Sequence, residues 1–337
     1  MFGEISQAFG RKFLVANVLP STLLVGANLV LMALGVVPRI DAKYLSVAGV
    51  SEPLMMLIII AVLGVLLQQG SRTTLRLYEG YYASLFWKLA IVSACLLGLV
   101  KLIDAQLVSW RALIATPVGL VGVWLLHVLS RSFSLRHFAA TEPEARSGIH
   151  RYRATRRYPR QAGLVMPTKL GNVIRAFESH AACLYNIDPI TAWPRLVAVL
   201  PDSYRDTIAD AENNFRFVLN MSLVFAVFGV ESLWLRPAMP SLLLLGCACL
   251  VASALAYLAA CQSAAGWGEH VRAAFDMYRL DLLRQFGVYL PPTPMTLEQE
   301  RRIWGQVQNP MFYVRDPDDT VRFLPKSWEA SDVQKTS

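Results

Sequence analysis

Charge is scarce in this chain. Only 17% of its 337 residues are charged and 55% are hydrophobic, whereas an ordinary soluble domain carries about 25% charged residues. A freely soluble globular protein is therefore disfavoured. Cysteine is equally uninformative as chemistry. Of the five cysteines, Cys95, Cys247, Cys249 and Cys261 fall in or beside apolar blocks and Cys183 stands alone. That pattern suggests neither a disulfide framework nor a zinc site; it suits small buried hydrophobes. There is no H-E-x-x-H pair, Walker loop or G-x-G-x-x-G turn, and no G-x-S-x-G elbow. The five histidines, at 127, 137, 150, 180 and 270, are scattered. No catalytic residue, metal site or cofactor is expected from these signals.

Long apolar runs are abundant. Six are long enough to approach the roughly 20 residues that cross a bilayer: about 13–37, 53–70, 85–103, 107–130, 216–235 and 239–262. The third is the weakest, because Lys88 and Lys101 bracket it. The first exceeds the 7–15 apolar residues of a secretory h-region and is read as a span. Basic residues set the direction. Residues 1–12, 71–84, 131–216 and 263–337 together hold 26 of the 32 Lys and Arg residues, which puts these segments and both termini on the cytoplasmic side. The net charge of +8 is accounted for by this bias. The expected fold is all-α: a polytopic membrane protein with about six spans and a membrane-proximal cytoplasmic helical bundle. Its parts are an N-terminal transmembrane region at 1–130, a cytoplasmic insert at 131–215, a transmembrane hairpin at 216–262 and a cytoplasmic tail at 263–337.

The insert opens with a basic run. Arg151, Arg153, Arg156, Arg157 and Arg160 alternate with Tyr152 and Tyr158, a composition suited to anionic lipid headgroups at about 1 kcal/mol per basic residue. A solvated linker reinforcing topology and an acidic protein partner are the other readings. Nucleic acid is disfavoured, since no recognised binding fold frames the run. Thr168 is an N-cap candidate after Pro167. Leu170, Ile174, Phe177 and Ala181 then recur on one helical face. Asn172, Arg175 and Glu178 share another face and, with Asp188 and Arg195, form the candidate polar network, as a binding site or as structural ion pairs. Asp188-Pro189 reads as N-cap and N1, and Trp193-Pro194 as a break. A helix is expected to run from Asp202 into the fifth span, and a second over 266–287, with Arg272–Asp276 and Asp281–Arg284 pairs. Leu170, Ile174, Phe177, Trp193, Ile208, Phe275 and Leu282 are the expected core. Gly80 is the expected stop of an extended second span.

Inside the spans, Asn28, His127 and Asn220 are the polar positions, and polar groups at membrane depth are functional hints. Glu231 lies near the outer end of the fifth span, with Arg111 as a candidate partner.

The stretches RLYEGY (76–81), PTKLGNVIRAFE (167–178), YNIDPITAWPRL (185–196) and GEHVRAAFDMYRLDLL (268–283) together resemble an uncharacterised family of bacterial polytopic membrane proteins. Arg is usual there in place of Lys169, and Tyr in place of Trp267. The resemblance spans most of the chain and implies a multi-pass protein of the bacterial inner membrane. It implies no activity.

Three functions compete. The first is a non-enzymatic scaffold or accessory protein whose cytoplasmic bundle binds a protein partner or anionic lipid. The second is an oligomeric, ligand-gated channel or membrane effector. The third, a membrane-embedded lipid-modifying enzyme, has no motif behind it. The lipid bilayer is the expected partner in all three, and homo-oligomerisation is required only by the second.

Overall fold

The computed structural model describes residues 13–34, 52–81, 156–235, 241–290 and 294–313. The expected third and fourth spans, Arg111, His127, Arg151 and Arg153 lie outside the described residues. Every regular element that is described is helical. A π-helical turn, Leu14–Val18, leads into α1 (Leu19–Ala33). It is followed by α2 (Glu52–Glu79), α3 (Lys169–Glu178), α4 (His180–Tyr185) and α5 (Pro189–Val199). The long helices α6 (Asp202–Leu235) and α7 (Leu242–Gln285) come next, and α8 (Leu297–Tyr313) ends the series. Among the described residues, four stretches are long and apolar enough to cross a membrane: Leu14–Ala33, Met56–Glu79, Asp202–Leu233 and Leu242–Gln285.

The chain forms two compact units. The first takes the described parts of Met1–Glu142 with Met166–Asn172 and Asp210–Ala264; the second takes the described parts of Pro143–Val165, Val173–Ala209 and Ala265–Ser337. In the first unit, polar pairs fix helix direction. Asn17 meets Asn220 (3.3 Å) and Asn28 meets Glu231 (3.2 Å). Position rises along both helices together, so α1 and α6 run parallel. α6 and α7 run antiparallel: Ser222 and Ser253 each donate to the other's backbone carbonyl, at 3.0 and 2.8 Å, while further along Gly229 faces Gly246. A Cβ on Gly246 would stand 3.0 Å from the Gly229 oxygen and 2.7 Å from Leu233. Small residues thus let the two backbones approach, as membrane helices favour.

The π turn lies where a proline leaves a carbonyl open to a distant donor. Pro20 has no N–H to offer the carbonyl of Ala16, four residues earlier. Asn220 Nδ2 donates to that oxygen at 2.8 Å, and Ser21 Oγ donates to the Asn17 carbonyl at 2.9 Å. Toward the same end of the unit, where Tyr78 meets Ser222 at 3.2 Å, Gly80 stops α2 as expected. Its φ is +92°, and the bonds Gly80 N–H to Leu77 O and Tyr81 N–H to Arg76 O, both 3.1 Å, close a Schellman motif. Tyr78 stacks on Tyr257 at 5.8 Å, and the Tyr257 hydroxyl accepts from Leu170 N–H at 3.2 Å.

The second unit is built from short helices packed on the polar part of α7. Phe177 meets Trp267 edge-on at 5.0 Å, and Trp193 tilts against Phe275 at 6.0 Å. Of the expected core residues, Leu170, Ile174, Phe177, Ile208, Phe275 and Leu282 are buried, and Trp193 is half-buried. One expectation here needs correction. Pro194 does not break a helix: it lies inside α5, which continues to Val199. Its ring removes one backbone bond in a helix that starts from a well-capped end at Asp188. The segment 169–199 also forms three helices, because the backbone is interrupted at Ser179 and again at Asn186, whose φ is 60°.

Candidate functional site

The residues of the candidate polar network are each bonded in the fold. Asn172 is fully buried in the first unit. Its amide donates to the carbonyls of Met166 (2.9 Å) and Thr168 (2.8 Å), and its Oδ1 accepts from Met166 N–H at 2.7 Å. Thr168 caps α3, accepting from Gly171 N–H at 3.0 Å. Arg175 and Glu178 come together at 3.5 Å, one turn apart in the second unit. Burial pushes the Glu178 carboxyl up, against the opposing pull of Arg175. Asp188 caps α5, accepting from Ile190 N–H at 3.0 Å. Gln308 of α8 bridges that cap, accepting from Asp188 N–H and donating to the Asn186 carbonyl, both at 2.5 Å. Arg195 donates to the Thr191 carbonyl of its own helix at 2.6 Å.

Inside the first unit, Asn28 donates to Glu231, and Asn220 donates to Ala16 and Asn17. Both amides bond between helices, and Asn28 also donates to the Leu24 carbonyl of its own helix at 3.1 Å.

Charge converges elsewhere in the second unit, around a cavity of about 250 Å³. Its wall takes Glu269, Arg272 and Asp276 from one face of α7, Ser179 and His180 from the α3–α4 junction, and Arg160 from the preceding loop. The spacing i, i+3, i+7 puts the three α7 side chains on one stripe. Ala176 and Ala273, facing in from α3 and α7, leave the space open. Glu269 is held by Arg272 at 2.8 Å and Arg156 at 2.9 Å. Asp276 Oδ1 meets His180 Nε2 at 2.9 Å and accepts from the Tyr185 hydroxyl at 2.7 Å. Because the Tyr185 proton already fills one acceptor direction on this oxygen, the His180–Asp276 contact is a second donor to a carboxylate, which assigns the ring proton to Nε2. Burial first, then the bond to Asp276, pushes the Tyr185 hydroxyl up to about 12, so it stays a donor. Behind it, Arg279 lies over the Tyr185 ring at 3.9 Å and pairs with Glu300 of α8 at 2.5 Å.

Ser179, His180 and Asp276 share this wall, which invites comparison with a nucleophile relay. The geometry opposes it. Ser179 Oγ donates to the Arg175 carbonyl at 2.7 Å, the back-bond common for serine in helices, whereas a relay serine donates to the imidazole. Among the described residues, no group of three or more His, Cys, Asp or Glu side chains could hold a metal ion.

Of the cavity residues, sequence reasoning singled out Arg160, as a lipid contact, and Arg272, as a partner for Asp276; Arg272 instead reaches Glu269. His180 was one of five scattered histidines. The usable signal was the stripe Glu269, Arg272, Asp276 on a helix whose other side is apolar. No protein-family model, curated protein or solved structure matches this chain.

Proposed function

We propose that the chain is a non-enzymatic membrane scaffold. In this reading it crosses the bacterial inner membrane six times, with both termini in the cytoplasm. Its second unit stands in the cytoplasm as the working surface, receiving a soluble protein partner. Of the basic run, the exposed Arg157 rests on anionic headgroups. The parallel course of α1 and α6 is what six spans require, as four would also. A fifth span parallel to the first requires an even number of crossings between the second and the fifth, and the apolar runs 85–103 and 107–130 supply two. α6 and α7 are 34 and 44 residues long, about 50 and 65 Å, against a hydrocarbon core of about 30 Å. Each therefore has length to spare for the water side.

The observation that carries the scaffold reading over the channel is the use made of the intramembrane amides. Asn28 and Asn220 are taken up in bonds between helices, as gluing residues are, where a pore would present them to water. The Ser179 back-bond likewise favours binding over hydrolysis. Conductance tests the choice. The full chain, reconstituted in planar bilayers, is expected to carry no ion current above the empty-bilayer level. Reproducible single-channel steps that shift with Asn220→Leu would replace the scaffold by the channel.

A further inference from the structure

The cavity in the second unit carries charges of both signs, and its bonding leaves one of each open. Glu269 is taken up by Arg272 and Arg156. Arg160 is exposed and makes no hydrogen bond or ion pair with the described residues. Both donors to Asp276 reach the same oxygen, Oδ1; Oδ2 takes no hydrogen bond from the described residues. The wall thus offers one guanidinium and one carboxylate oxygen. Arg160 and Arg272 stand on the wall with Glu269 and Asp276, and Arg156 reaches Glu269 from beside it, so the open cation and the open carboxylate oxygen share one cavity.

We propose that this cavity binds a small zwitterion, a primary ammonium a few bonds from an oxyanion, with the oxyanion on Arg160 and the ammonium on Asp276 Oδ2. A guanidinium forks onto oxyanions with two parallel donors, and an ammonium presents three donors to a carboxylate. The volume of about 250 Å³ falls below the roughly 300–1,000 Å³ of drug-sized pockets and suits a ligand the size of a headgroup. His180 and Tyr185 hold the Asp276 carboxylate in one orientation and are positioning residues. This ligand goes beyond the scaffold role: binding of a soluble probe in detergent depends on neither a protein partner nor membrane orientation, so either reading can fail alone.

The test is calorimetric titration of the full chain in non-ionic detergent with phosphoethanolamine, and with ethanolamine and inorganic phosphate separately. Phosphoethanolamine is expected to saturate at millimolar concentration or below, with each half at least tenfold weaker. Arg160→Gln is expected to weaken binding about ten- to a hundredfold, the loss of one charge-assisted contact. Because Arg160 is exposed, the variant should keep the wild-type circular dichroism. Absence of saturable binding, equal affinity for phosphate alone, or wild-type affinity in Arg160→Gln would overturn the proposal. Repeating the titration in nanodiscs separates the sources. Loss of soluble binding in phosphatidylethanolamine discs but not in phosphatidylcholine discs identifies a lipid headgroup. Binding retained in both identifies a free metabolite, with the same chemistry.

Discussion

Two glutamates on α8 should respond very differently to the same substitution. Glu300 and Arg279 form a forked pair at 2.5 and 3.3 Å, with side chains only 8% and 16% exposed. Glu298 pairs with Arg302 on the same helix at 2.9 Å, but there both side chains are more than three-quarters exposed. Removing one partner of a buried pair costs about 3–5 kcal/mol, because a charge is left without compensation. An exposed i,i+4 pair contributes about 0.3–0.5 kcal/mol. Glu300→Ala should sit near the lower end of the buried range, since Arg279 keeps the Tyr185 ring and the Asp276 carbonyl as partners. Arg279→Ala should sit near the upper end, because it strands a buried carboxylate and removes the stacking. Glu298→Ala should be close to neutral. Urea unfolding of the full chain in detergent gives the comparison, with Trp304, fully buried on α8, as fluorescent reporter. Pairing Arg279→Met with Glu300→Leu should recover most of the loss. If Glu300→Ala and Glu298→Ala agree within about 0.5 kcal/mol, the burial argument is wrong.

Three further outcomes are expected. A Cβ on Gly268 would lie 2.4 Å from Phe177 Cδ1, while Gly266 has nothing within 4 Å. Gly268→Ala should therefore destabilise by about 1–3 kcal/mol, and Gly266→Ala should stabilise by up to about 1 kcal/mol, both read from the same unfolding curves. Asn220→Leu should lower stability by about 0.6–1.7 kcal/mol, measured by steric trapping or denaturant in bicelles, because the Ala16 carbonyl beside Pro20 loses its donor. Glu178 carries a raised carboxyl in the fold, so the folded chain binds more protons than the unfolded chain just above the unfolded value of about 4.3. Stability should be highest below that pH and decline as pH rises through the folded value. Glu178→Gln should remove this decline, and an unchanged pH profile in the variant would count against it.

What was legible in the sequence was periodic or capped. Apolar blocks marked α1, α2, α6 and α7, and local hydrogen bonding let Thr168 announce the start of α3, Asp188-Pro189 the start of α5 and Gly80 the end of α2. The π turn was hidden, because it depends on Asn220, some 200 residues distant. α8 went unread although Thr296 and Gln299 form a capping box, with Thr296 N–H donating to Gln299 Oε1 at 2.8 Å and Gln299 N–H to Thr296 Oγ1 at 3.3 Å. Its apolar stripe is thin and Pro310 obscured the pattern. The Trp193-Pro194 break was misread because the rule for proline weighs one lost bond and not the packing of α5. The cavity was illegible for a different reason. Arg160, His180 and Asp276 belong to three separate segments, and only tertiary packing brings them to one wall.

The scaffold reading faces its most direct test in native mass spectrometry of the full chain, extracted from its own host's membranes. The account predicts a monomer or dimer that carries a soluble protein and loses it when the second unit is destabilised by Arg279→Ala. A closed homo-oligomer with no protein partner would contradict it and point to a gated pore.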